Sequence, residues 1–112
     1  MTRSLYHAGL TVSDLERSAR FYVEGLGFEV VARQTSDAPY LSVTGYPGVE
    51  IAAVFVRLGD GTTLELQEYR RVRELPRREP GTAAVGSSHL CFVVDDLASA
   101  LDRVERHGGA RV

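Results

Sequence analysis

Apolar and polar residues alternate from about Ser4 to Val12. Ala8, Leu10 and Val12 fall on one side of an extended chain, and His7, Gly9 and Thr11 on the other. The period then changes. Leu15, Ala19 and Tyr22, with Phe21 and Leu26 beside them, recur near helical spacing and predict a helix to about Glu24. Ser13-Asp14-Leu15-Glu16 has the form of a capping box, with Ser13 as the cap and Glu16 reaching back. Gly25 and Gly27 end the helix. Phe28 to Arg33 reads as a second strand, residues 34–39 as a polar loop with Pro39, and Tyr40 to Thr44 as a short strand before the Gly45-Tyr46-Pro47-Gly48 turn. Glu50 to Leu58 is rich in Val, Ile and Phe, Gly59-Asp60-Gly61 signals a hairpin, and Thr62 to Tyr69 is its partner strand. The first module, residues 4–69, is read as β-α-β-β-β, with the short strand at Tyr40–Thr44 an addition to that set. Residues 70–86, with Arg70, Arg71, Arg73, Arg77 and Arg78 among Pro and Gly, read as a basic linker whose charges form a solvated face, with gripping of an anionic substrate as the minor alternative.

The opening pattern returns. His7-Ala8-Gly9-Leu10-Thr11-Val12-Ser13-Asp14-Leu15 is matched by His89-Leu90-Cys91-Phe92-Val93-Val94-Asp95-Asp96-Leu97 at an offset of 82, and Gly27 meets Gly109 in the same register. A second module over residues 87–112 is expected to place a strand at His89–Val94, a helix from Leu97 to about Arg106 capped by Asp95 or Asp96, and the start of a strand at Ala110–Val112. The predicted class is α+β, with paired βαβββ modules and an incomplete second one. By the offset, that module would run to about residue 151. Its missing strands are expected from a longer chain or from a partner chain, since an open sheet would expose an edge.

At 112 residues the chain has the length of one domain, 44% hydrophobic and 25% charged, as in ordinary soluble proteins. A net charge of −2 gives nucleic acid no electrostatic footprint to bind. Its single cysteine, Cys91, excludes an internal disulfide and a Cys-rich zinc site, and packing is expected of it rather than nucleophilic chemistry. No apolar run approaches the roughly 18 residues that span a bilayer, and no hydrophobic leader is evident, so the expected partners include no membrane and the expected location is cytoplasmic.

Three side chains carry candidate chemistry. His7 and His89 open the two copies. Glu65 stands in Thr63-Leu64-Glu65-Leu66-Gln67, where alternation sends Leu64 and Leu66 to one face and Thr63, Glu65 and Gln67 to the other. If Leu10, Val12, Leu64 and Leu66 all pack on the helix, His7 and Glu65 share the opposite face. His89 would do the same in the second copy. Curling the two sheets together would then bring three ligands into one cavity, with Thr11, Thr63 and Gln67 as lining. Mixed imidazole and carboxylate ligation suits one divalent ion of the Zn, Ni, Co, Fe or Mn type rather than a Ca²⁺ cage of oxygens. His107 is expected to serve the negative end of the second helix, not a metal. Tyr22, Tyr40 and Tyr46 read as core aromatics or as the wall of a binding groove.

The run His7 to Val30, of the form H-x-G-L-x-V-S-D-L-E-R-S-x-x-F-Y-x-x-x-L-G-F-E-V, together with Leu64-Glu65-Leu66 and His89 through Leu97, resembles the vicinal oxygen chelate superfamily. That superfamily includes glyoxalase I, methylmalonyl-CoA epimerase, extradiol dioxygenases, fosfomycin-modifying enzymes and bleomycin-resistance proteins. The resemblance implies paired modules forming a metal-binding cup, usually in a homodimer. It implies His7, Glu65 and His89 as ligands, with a fourth carboxylate beyond Val112. A ligand at the Glu65 position is typical of glyoxalase I-like enzymes, whereas Gly48-Val49-Glu50-Ile51-Ala52 looks like the epimerase branch. The implied activity is a metal-dependent lyase or isomerase that abstracts a proton next to the carbonyl of a small carbonyl or thioester substrate, with Glu65 as ligand and base. The alternatives are a metal-free binding or resistance protein and an iron-dependent ring-cleaving dioxygenase.

Overall fold

The computed structural model describes residues 1–77 and 81–112. Four strands, β1 (Ala8–Thr11), β2 (Glu29–Ser36), β3 (Glu50–Arg57) and β4 (Thr63–Arg70), form one sheet in the order β1-β4-β3-β2. β1 runs parallel to β4, with Gly9 opposite Glu65 and Thr11 opposite Gln67. β3 is antiparallel to both of its neighbours. Helix α1 (Leu15–Arg20) continues into a π-helical turn, Phe21–Gly25, before β2. Helix α2 (Leu97–Arg106) follows the sheet in sequence. The class is α+β, with one complete βαβββ set.

The alternation in β3 and β4 decides where the core lies. Leu64, Leu66, Val54 and Val56 point to the helix side and meet Leu15, Ala19 and Phe28 in one buried cluster. Leu10 and Val12 pack against its edge. Tyr22 and Phe92 reach Phe28 edge-on, at ring centroid distances of 5.6 and 5.8 Å. Burial among these groups pushes the Tyr22 hydroxyl above its ordinary pKa.

The start of α1 differs from the capping box read in the sequence. Asp14, not Ser13, is the cap, and its carboxylate accepts the Arg17 N–H at 3.0 Å. Glu16 does not reach back; it accepts from the Arg33 guanidinium at 2.8 Å. The Leu15 N–H is instead taken by Glu68 of β4 at 2.7 Å, which ties helix to sheet. A hydrogen bond from Arg70 and then that of Leu15 hold the Glu68 carboxyl below the usual carboxylate range. A carboxyl lowered in the folded state stabilises the fold above its unfolded pKa of about 4.3, and that contribution fades as pH falls through the lower folded value. Glu68→Ala should therefore cost about 1 kcal/mol near neutrality, after allowance for solvent screening. The gap between variant and wild type should close on acidification below about pH 4. Urea denaturation at several pH values checks this, and a gap that widens in acid would contradict it.

Other boundaries moved for local reasons. The first strand is shorter than residues 4–12, and β2 runs on to Ser36. Residues 40–44 form a 3₁₀ helix, Pro39–Thr44, rather than a strand. Pro39 presets the first turn, and Gly45, at φ +87°, closes it by donating to the Ser42 carbonyl. The hairpin at Gly59-Asp60-Gly61 forms as expected, with Asp60 accepting from the Thr62 N–H at 2.8 Å. Arg70 belongs to β4, and Arg71 is no free surface charge: it bridges Asp37 and Glu50 at 3.0 and 2.9 Å. The part of the expected linker at residues 78–80 lies outside the described residues.

The second copy keeps its helix and not its strands. Asp96 caps α2 by accepting from the Ala98 N–H. His107 closes that helix, stands 3.4 Å from Glu24, and packs on Gly25 of the π-helical turn. Residues 89–94 and 110–112 form no strand. β1 draws its ladder from β4, and among the described residues nothing stands in that place beside residues 89–94. Cys91 is consequently exposed rather than packed.

Candidate metal centre and substrate cavity

His7 immediately precedes β1, and the parallel pairing with β4 brings it to Glu65. Its Nε2 lies 3.0 Å from Glu65 Oε2. The carboxylate side chain is only 14% exposed and the imidazole 31%. The His7 ring is held edge-on by Phe55 at 5.5 Å and by Tyr6 at 5.3 Å. Phe55 stands directly across the β3–β4 ladder from Glu65. His7 Nδ1 is buried with no hydrogen-bond partner among the described residues, so aromatic packing and Glu65 fix this ring between them. On the other side of Glu65 is Gly9, where a Cβ would lie 3.6 Å from Gln67 Nε2 and 4.0 Å from Glu65 Oε2.

This pair fits part of a metal site. Imidazole and carboxylate together suit a borderline divalent ion. Two ligand atoms bonded at about 2.1 Å to one ion stand about 3.0 Å apart at an octahedral angle and about 3.4 Å apart at a tetrahedral one. Two donors are half of a four-coordinate set. His89 is exposed and is not brought to the pair; among the described residues no three His, Cys, Asp or Glu side chains gather closely enough to hold an ion.

Glu65 also lines a cavity of about 280 Å³. Gln67 and Tyr69 continue its β4 wall, Gln34 and Ser36 of β2 form the far side, and Tyr40 of the 3₁₀ helix covers one end. Of the lining expected from alternation, Gln67 is in place. Thr63 is buried, with its hydroxyl donating to the Gly61 carbonyl and accepting from Arg57, so it supports the hairpin instead. Gln34, Ser36 and Tyr69 were not singled out from the sequence. A bulge between Val30 and Ala32 puts Gln34 and Ser36 on the cavity face. Carrying the alternation of β4 on by one more step would have found Tyr69.

The parallel β1–β4 pair sets a His–Glu couple beside a small cavity that Glu65 lines. The family model for the Glyoxalase/Bleomycin resistance protein/Dioxygenase superfamily matches residues 4–111, and the chain belongs to that superfamily. It is 31% identical to a 2-epi-5-epi-valiolone epimerase from an Actinomyces species, with 97% of this chain covering 61% of that protein. It is 31% identical to a lactoylglutathione lyase of Neisseria meningitidis, covering 94% of this chain and 67% of the relative. It is 34% identical to an ethylmalonyl-CoA/methylmalonyl-CoA epimerase of Cereibacter sphaeroides, covering 100% and 75%. The chain therefore spans under two thirds of the first of these relatives. Among solved structures, a glyoxalase family protein from Bacillus cereus superposes with a TM-score of 0.85 at 20% identity, over 96% of this chain and 74% of that one. The fosfomycin resistance protein FosX of Listeria monocytogenes, in complex with Mn(II) and a dihydroxypropylphosphonic acid, superposes with a TM-score of 0.62 at 18% identity, over 96% and 71%.

Proposed function

We propose that this chain is the metal-binding half of a divalent-metal-dependent lyase or isomerase that acts on a small carbonyl or thioester substrate. The observation that carries this is the His7–Glu65 contact beside the cavity that Glu65 lines. The lyase and epimerase names of its relatives point the same way. His7 and Glu65 would hold the ion. His89 would be a third donor, contributed by a completed second module or by the second copy of a cytoplasmic homodimer. The bound ion would supply Lewis acidity toward a carbonyl oxygen.

The remaining chemistry belongs to the chain. Glu65 takes a proton from the carbon beside the carbonyl, with Phe55 across the ladder from it and Ala53 and Ile51 in the cavity wall. Gln67 can donate to a substrate oxygen from the same strand face. Elemental analysis of the protein, produced with Zn, Ni, Co, Mn and Fe supplied, tests the reading. Near-stoichiometric metal is expected in wild type, with a loss of more than half in both His7→Ala and His89→Ala. Metal-free wild type would overturn the catalytic reading, and full retention in His89→Ala would remove His89 from the ligand set.

A further inference from the structure

Beyond Tyr69 the same side of the sheet opens into a second and larger cavity of about 540 Å³, a volume typical of small-molecule sites. Thr11 and Ser13, at the end of β1, give it hydroxyl groups. Tyr46 and Tyr69 form an aromatic wall with their rings edge to face at 6.0 Å. Leu75 and Pro76 add apolar surface, and Arg77 brings a guanidinium. No acidic side chain is among the described lining residues. The two cavities meet at Tyr69, which lines both. Glu65, Gln67 and Tyr69 alternate onto one face of β4, and four residues of strand separate Glu65 from Tyr69 by about 13 Å.

We propose that this cavity is an anion subsite. It takes a carboxylate or phosphate carried on an apolar or aromatic body, which is the tail of the substrate whose reacting carbonyl sits at Glu65. The placement of the reacting end rests on the function proposed above; the anion subsite does not. Guanidinium and hydroxyl donors recognise the charged oxygens, and the tyrosine rings with Leu75 and Pro76 take the body. Because this chain carries a net charge of −2, an anion gains nothing from its overall field and must be held locally. The substrate implied is an extended organic acid, with its reacting carbon at Glu65 and its anion on the far side of Tyr69. A free two- or three-carbon carbonyl compound would fill only the Glu65 end.

The test is an NMR titration of the ¹⁵N-labelled full chain with phenyl phosphate, benzoate and benzyl alcohol, without added metal. Phenyl phosphate or benzoate should saturably shift the amides of Thr11, Ser13, Tyr46, Tyr69 and Arg77. Arg77→Gln should weaken the bound anion about tenfold, the loss expected for one charge-assisted contact. Arg73→Gln, in the same exposed segment but outside the lining, should leave the affinity unchanged. Benzyl alcohol should bind more weakly and ignore the Arg77 substitution. Preference for either anion supports the subsite and identifies the tail. Equal binding by Arg77→Gln and wild type, equal weakening by Arg73→Gln, or shifts confined to other residues would overturn it. Because no metal is present, these outcomes are independent of the metal analysis: a chain without metal that still binds phenyl phosphate here loses the proposed reaction and keeps the subsite.

Discussion

If Glu65 is a ligand as proposed, Glu65→Gln is expected to lower metal affinity at least about 100-fold, since even the loss of a supporting contact costs about 10- to 100-fold. Turnover should fall by about 10² to 10⁴, the range for losing a positioned general base. The fold should survive. Gln is isosteric, it keeps a polar oxygen facing His7, and Glu65 is flanked in sequence by the buried Leu64 and Leu66, which are untouched. The measurement is metal affinity by competition with a chelating dye, kcat once a substrate is found, and a melting curve on the same preparations. A variant that melts like wild type yet binds metal tenfold or less more weakly would remove Glu65 from the ligand set. A variant that melts far lower would show that the His7–Glu65 contact is structural.

Leu66→Ala is expected to cost about 3–4 kcal/mol, within the range for emptying a leucine site in a closed core. Leu66 is 0% exposed and sits at the centre of the helix-side cluster, with Leu10 and Val54 as its ladder partners on either side. Neither neighbouring strand can collapse into the void without breaking its own hydrogen bonds. That cost is a large part of the roughly 5–15 kcal/mol available to a domain. Leu66→Met keeps the volume and should cost less than about 1.5 kcal/mol. Leu90→Ala, at a residue 41% exposed, should cost under about 1 kcal/mol. Urea midpoints with constant slope report these differences. A loss below about 1 kcal/mol for Leu66→Ala would mean that this face of β4 is not the packed one.

The local periods of the chain were enough to specify β3, β4, their hairpin and α2, because each depends on residues close in sequence: alternation of Val, Ile and Leu, a Gly-Asp-Gly turn, and a helix stripe behind Asp96. The same alternation separated Leu64 and Leu66 from Glu65, and so placed Glu65 on the face opposite the helix before any partner was known. The superfamily was legible for the same reason, since its motif lies in these contiguous runs. What depended on distant groups was not legible. Asp14 caps α1 while Glu16 goes to Arg33, and Glu68, from a strand 53 residues away, takes the first helical N–H. The bulge in β2 reverses which of its side chains face the cavity, and only the register against β3 fixes it. Pro39 and Gly45 outweighed the strand propensity between them.

The amino-acid sequence by itself determined which residues could be core and which could be ligands, because burial parity and donor chemistry are local properties. Tertiary structure alone decided which of those candidates meet. Parallel pairing of β1 with β4 brings His7 to within 3.0 Å of Glu65, whereas residues 89–94, with no strand beside them among the described residues, leave His89 exposed and apart. Backbone hydrogen bonds between strands are satisfied only in pairs, so a strand sequence becomes a strand, and its His meets a carboxylate, only where a partner lies alongside.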